Sequence, residues 1–125
     1  MKWGITMFPR TYVTITGLKH YELKHKVKVG DSVLLIKDTK NEVDEEAIAV
    51  FTVHKEKFGY VANSTHTVAK GTYSAGRLYD KFDTFVVGVI QFMFRNEAIV
   101  EVMLEDVSLT YFDELYFDLF NRTHR

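Results

Sequence analysis

The feature that most constrains this chain is a series of six short apolar segments, each bounded by turn residues, with one break after the fourth. "RTYVTITGL" alternates Tyr12, Thr14 and Thr16 with Val13 and Ile15, the period-two pattern of a strand, and Gly17 ends it. "GDSVLLIK" is a second strand entered through a Gly30-Asp31 turn. "EEAIAVFTV" is a third, and "HKEK" links it to a short fourth, "FGYVA". After the break come "TFVVGVIQFMF" and "AIVEVMLEDV", parted by Arg95, Asn96 and Glu97, the pattern of a hairpin of two long strands. Six such strands predict a mostly-β, α+β domain, and closure into a small barrel is the economical architecture.

The break itself, "NSTHTVAKGTYSAGRLYDKF", lacks strand alternation. Asn63, Ser64 or Thr65 is placed to cap one short helix ended by Gly71, and Ser74 to cap a second across "AGRLYDKF". In the tail, Tyr111, Phe112, Leu115, Tyr116, Leu119 and Phe120 form one stripe of a helix over 108–125, with Asp113, Glu114 and Asp118 on its other side. Two or three short helices therefore accompany the strands. With a single proline and scattered glycines, nothing reads as an interdomain linker, so residues 1–125 are expected to form one domain with a lead-in over 1–9. A tail helix of this kind is expected to close an open end of the barrel; its alternative use is an interface for a protein partner or a second copy.

Composition excludes several classes. Without cysteine there is no disulfide and no thiolate metal site, which suits a reducing, cytoplasmic setting. "MKWGITMFPR" has no apolar core or cleavage site of a secretory signal, and "FVVGVIQFMF" is too short to span a membrane. The formal net charge of −1 argues against bulk attraction to nucleic acid, yet the charge is polarised. Residues 10–40 carry seven Lys/Arg against three Asp/Glu, and residues 83–125 carry three against eight.

Catalytic chemistry finds little support. The histidines at 20, 25, 54, 66 and 124 lack zinc-ligand spacing. Serines 32, 64, 74 and 108 lack an elbow motif, and "GTYSAG" lacks the Lys-Ser/Thr of a phosphate loop. The acidic stretch "KDTKNEVDEEAIAV" lacks the alternating ligands and central glycine of a calcium loop. Asp38, Asp44 and Glu46 within it leave one enzymatic alternative, a magnesium-dependent nuclease. No cofactor and no catalytic residue is otherwise indicated. "GLKHYELKHKVK", by contrast, interleaves His20 and Tyr21 with Lys19, Lys24, Lys26 and Lys28, and aromatic rings among lysines are what single-strand binders use.

Taken in order, "VTITGLKHY", "VLLIKDTKNEVDEEAIAV" and "FGYVANSTHTVA" resemble the HIRAN domain, whose core reads Arg-Glu/Asp-Pro-x-Asn-Pro-Tyr-Asp-x-x-Ala-Ile-x-Val before a Gly-Tyr/His turn. Asn41, Asp44, Ala47, Ile48, Val50, Gly59 and Tyr60 are in register with it. The resemblance implies a barrel related to the OB-fold and binding of single-stranded DNA at a free 3′ end. It places Lys19, His20 and Tyr21 around the terminal bases, Asp44 on the 3′-hydroxyl with Asn41 nearby, and Tyr60 and Asn63 by the terminal phosphate. Lys37 stands for the usual arginine, Glu42-Val43 for Pro-Tyr, and neutral Asn63 for a basic residue. The expectation is a non-enzymatic module for DNA repair or processing that contacts single-stranded DNA through Lys19, His20, Tyr21, Lys37, Asn41, Asp44, Tyr60 and Asn63. A protein-interaction module without DNA binding is the alternative.

Overall fold

The computed structural model describes residues 10–104 and 110–123. The alternating segments become strands: β1 (Thr11–Thr16), β2 (Ser32–Lys37), β3 (Ile48–Thr52), β4 (Lys57–Val61), β5 (Phe85–Phe94) and β6 (Glu97–Met103). Each pairs antiparallel with its neighbours in the order β1-β4-β3-β2-β5-β6, and β6 returns to β1 to close a barrel. The mostly-β barrel expected from the sequence is therefore present, with two helices, α1 (Ala75–Tyr79) and α2 (Thr110–Thr123). No helix among the described residues is long and apolar enough to cross a membrane. The lead-in 1–9 and residues 105–109 lie outside the described residues.

Alternation sorts the side chains between two clusters. Val13, Ile15, Val33, Leu35, Ile48, Val50, Phe58 and Val100 point inward and fill the barrel. Leu34, Ala49 and Phe51 point outward, yet are as buried as the interior, because α2 lays Leu115 and Leu119 on them. Phe112 and Tyr116 extend that contact, Tyr116 stacking on Phe85 at 4.8 Å, and Lys55 pairs with Asp118. This corrects the expectation that the tail helix closes a barrel end: it covers the wall of β2 and β3. The helix that does reach the interior is α1, through Ala75 and Leu78.

The first helix expected after β4 does not form. Residues 63–71 make turns, with Thr67 and Val68 amides donating to Ser64 O and the Ser64 hydroxyl accepting from the His66 amide. Ser and Thr side chains here satisfy the backbone locally, and no apolar stripe rewards a helix. Gly71 adopts φ +90°, a turn conformation suited to glycine. The second helix forms as expected, its Ser74 side chain accepting from the Arg77 amide.

The seams of the barrel are unequal. β1 and β6 share five residue pairs, whereas β1 and β4 share only Ile15–Val61 and Thr16–Tyr60. Gly59 permits that short seam, because a Cβ there would lie 2.5 Å from Thr16 O and 2.9 Å from the Ile15 side chain. Gly59→Ala is expected to lose about 1–3 kcal/mol through overpacking, read from the urea midpoint of unfolding. Leu119→Ala, which empties the contact under α2, is expected to lose about 2–5 kcal/mol in the same measurement.

Candidate functional site

The acidic turn between β2 and β3 is built by its own side chains. Asp38 N donates to Ala47 O at 2.8 Å, closing the loop, and buried Ala47 and Ile48 anchor its far end. The Asn41 side-chain oxygen accepts from the Val43 and Asp44 amides at 2.9 and 2.8 Å, and Asp44 Oδ1 accepts from the Glu46 amide at 2.9 Å. These two successive Asx turns are what Asn and Asp at such spacing favour. Asp44 Oδ2 then accepts from Asn63 Nδ2 at 3.1 Å, and Asn63 Oδ1 accepts from the Gly76 amide at 2.8 Å. Asn63 thus couples the acidic turn to α1 and fixes the second oxygen of Asp44.

Between this turn and the short β1–β4 seam lies an open cleft of about 540 Å³. Asn41, Asp44, Tyr60 and Asn63 line it together with Thr16 and Val43. Val43 is 97% exposed, so an apolar side chain stands at the mouth with nothing packed on it. Asp44 joins no ion pair among the described residues. The cleft therefore presents a half-buried carboxylate beside a phenol ring. Such a group accepts a hydrogen bond from a hydroxyl and repels phosphate.

Tyr60 carries a polar chain along the barrel wall. Its hydroxyl donates to Asp38 Oδ2 at 2.7 Å and accepts from Lys57 Nζ at 3.1 Å, and Asn41 Nδ2 reaches the same Asp38 oxygen at 3.5 Å. Burial, then the hydrogen bond to Asp38 and its negative charge, push the Tyr60 hydroxyl up to about 12. Lys57 and Tyr60, three residues apart, would face opposite sides of a regular strand. They share the outer face because Val50 pairs with Gly59 while Phe51 pairs with Lys57, which leaves Phe58 as an extra residue on β4.

The remaining candidates fall in three places. Gly17, at φ +80°, turns β1 into a 3₁₀ turn over Leu18–His20, and the Lys19 amide donates to Asn96 Oδ1 at 2.6 Å. Lys19 and half-buried Tyr21 line a second cleft with Lys26 and Arg95. Burial chiefly raises the Tyr21 pKa while Lys57 lowers it. The second cleft adjoins β4, since Phe58 lines it and Leu18 lies beside Gly59. His20 is exposed beside it. Lys37 is turned away: Nζ donates to Phe82 O at 2.7 Å and lies 4.3 Å from the centre of the Tyr79 ring. The structure thus gathers Asn41, Asp44, Tyr60 and Asn63, sets Lys19 and Tyr21 alongside, and separates Lys37.

Two members of the hydrogen-bonded network were not among the sequence candidates for binding. Lys57 was hidden by the bulge, and Asp38 entered only through the nuclease alternative, whereas its carboxylate is held by Tyr60. Asp38, Asp44 and Glu46 do not converge; no cluster of three such groups able to hold a metal ion stands among the described residues.

A family model of the HIRAN domain matches residues 9–97. The chain belongs to the HIRAN domain family. Among solved structures, this HIRAN chain is similar to a protein from Lactobacillus plantarum, with a TM-score of 0.55 at 21% identity over 74% of this chain and 88% of that one. It is also similar to the HIRAN domain of human HLTF, with a TM-score of 0.53 at 18% identity over 92% of this chain and 86% of that one. No curated protein matches it significantly. At such identities the likeness shows the fold, and the site rests on this chain's own geometry. Asp38→Asn, which removes two of the causes that raise Tyr60, is expected to lower its pKa toward the ordinary tyrosine value without reaching it, because burial remains. Ultraviolet titration of the phenolate against the parent protein measures the shift.

Proposed function

We propose that this HIRAN chain is a non-enzymatic module that binds single-stranded DNA by its free 3′ end, in DNA repair or processing. The observation that carries this reading is Asp44: a carboxylate fixed by the Glu46 amide and Asn63, facing an open cleft and in no ion pair among the described residues. A terminal 3′-hydroxyl can donate to it, whereas an internal nucleotide offers phosphate in that place and is repelled. Tyr60 and Val43 supply apolar wall to the sugar and base, and Asn41 holds the turn that carries Asp44. Tyr21 offers a stacking ring and Lys19 a cation in the neighbouring cleft, with His20 exposed beside them. Base–aromatic stacking contributes about 1–3 kcal/mol per base, so few rings and an acidic rim predict modest, salt-sensitive affinity. Lys37 ties the end of β2 to the segment before β5 in this reading and touches DNA weakly at most. A cysteine-free chain suits a reducing, cytoplasmic setting.

The alternative of a protein-interaction module drew on the tail helix; Phe112, Leu115, Tyr116 and Leu119 of its stripe pack on the barrel wall, while Phe120 stays exposed. Fluorescence anisotropy with matched 3′-hydroxyl and 3′-phosphate oligonucleotides tests the proposal. The hydroxyl end is expected to bind about tenfold more tightly, and Asp44→Asn to erase most of that preference, corresponding to roughly 1.4 kcal/mol. Equal affinity of the parent protein for both ends contradicts it.

A further inference from the structure

We propose that Lys57 is the residue that holds the phosphate of the bound terminal nucleotide, its ammonium aimed by Tyr60 and Asp38; this rests on the end-binding reading of the Asp44 cleft. Two positions that the family pattern offered beside the acidic turn do not serve. Lys37 donates to Phe82 O, and position 63 is a neutral asparagine engaged with Asp44 and Gly76. Lys57 stands instead at the hydroxyl end of Tyr60, the ring that lines the cleft.

Its environment is built. The ammonium lies 5.0 Å from the Tyr60 ring centre and 5.8 Å from that of Phe51, so its stem runs half-buried between two aromatic faces. The hydroxyl of Tyr60 donates to Asp38, which turns its oxygen lone pairs toward Lys57 and fixes the ammonium in direction. An ammonium has three N–H donors. Tyr60 takes one, and Lys57 forms no ion pair among the described residues. Asp38 is held from it by the intervening hydroxyl, so the charge is not neutralised by direct contact.

The same hydrogen-bonded chain runs from Lys57 through Tyr60, Asp38 and Asn41 to the Asp44 amide. One connected framework thus carries a carboxylate that accepts from a hydroxyl at one end and an ammonium that donates to a phosphate at the other, with the Tyr60 ring between them. A nucleotide bearing a 3′-hydroxyl and a 5′-phosphate carries the complementary pair. Lys57 is in this sense a specificity-determining residue: it sets which end of the nucleotide points away from Asp44.

The test uses the full chain and a short single-stranded 3′-hydroxyl oligothymidylate, with affinity followed against salt. Lys57→Gln keeps a donor for Tyr60 and removes the charge. Its log affinity against log salt is expected to lose about 0.7 of slope, or roughly eightfold affinity at ~50 mM salt, while Lys57→Arg retains the slope. The preference for 3′-hydroxyl over 3′-phosphate is expected to survive in Lys57→Gln, since it resides at Asp44. An unchanged slope in Lys57→Gln, with the parent still preferring the hydroxyl end, overturns the role of Lys57 alone. Loss of that preference in Lys57→Gln, with a lowered melting temperature, assigns the residue to folding and also overturns it. Absence of binding or of end preference in the parent overturns the end-binding reading, and this inference with it.

Discussion

The cleft at the acidic turn depends on the short seam between β1 and β4. Two residue pairs hold it, against five between β1 and β6 and seven between β5 and β6. A closed barrel keeps its backbone donors and acceptors paired, and here the early parting of one seam leaves a cleft at the surface. Gly59 brings β4 close enough to β1 for Ile15 and Val61 to share the core, and Thr16 and Tyr60 then open outward. The acidic turn closes over that opening because Asp38 and Ala47 bond across its base.

From this seam the electrostatics follow. Carboxylates crowd the turn at 38, 42, 44, 45 and 46, a poor setting for a polyanion. Three of them have specific donors: Asp38 has Tyr60 and Asn41, Asp44 has Asn63 and the Glu46 amide, and Glu46 has the Asn63 side chain. Such satisfied, directed acceptors rigidify the cleft and favour a neutral donor over a phosphate. The basic segment 19–28 lies alongside, tied down by Glu56, whose carboxylate accepts from the Lys24 and His25 amides and from His25 Nδ1. Positive and negative surfaces therefore meet near Tyr21 and Tyr60. The proposed ligand, a terminal nucleotide that is anionic on one side and a neutral hydroxyl donor at its end, would be complementary to that pairing.

The strands were legible because Val13/Ile15 and Val33/Leu35 follow the two-residue period of a half-buried sheet. The position of α2 was not, because the stripe of Leu115 and Leu119 shows that a helix docks but not onto what; the outward Leu34, Ala49 and Phe51 were the available clue. Residues 63–71 misled through Ser64, whose side chain caps a turn as readily as a helix. Asn41 and Asp44 were singled out through the family pattern, and their mutual contact matches the Asx chemistry of their spacing. Lys57 was invisible because a bulge reverses which face it takes, and no local sequence signal marks that reversal. Lys37 lies at a strand end, and only the folded chain shows its stem crossing Tyr79 to reach Phe82.

The most direct measurement is a map of amide chemical-shift changes when a 3′-hydroxyl trinucleotide is titrated into the isotope-labelled protein. Changes centred on Asn41, Asp44, Tyr60, Asn63 and Gly76, with a weaker set at Lys19 and Tyr21, are predicted, because these amides belong to the network around the cleft. Changes centred instead on the separate cleft of Lys28, Ser32, His54 and Phe112, with the acidic turn unmoved, would contradict it.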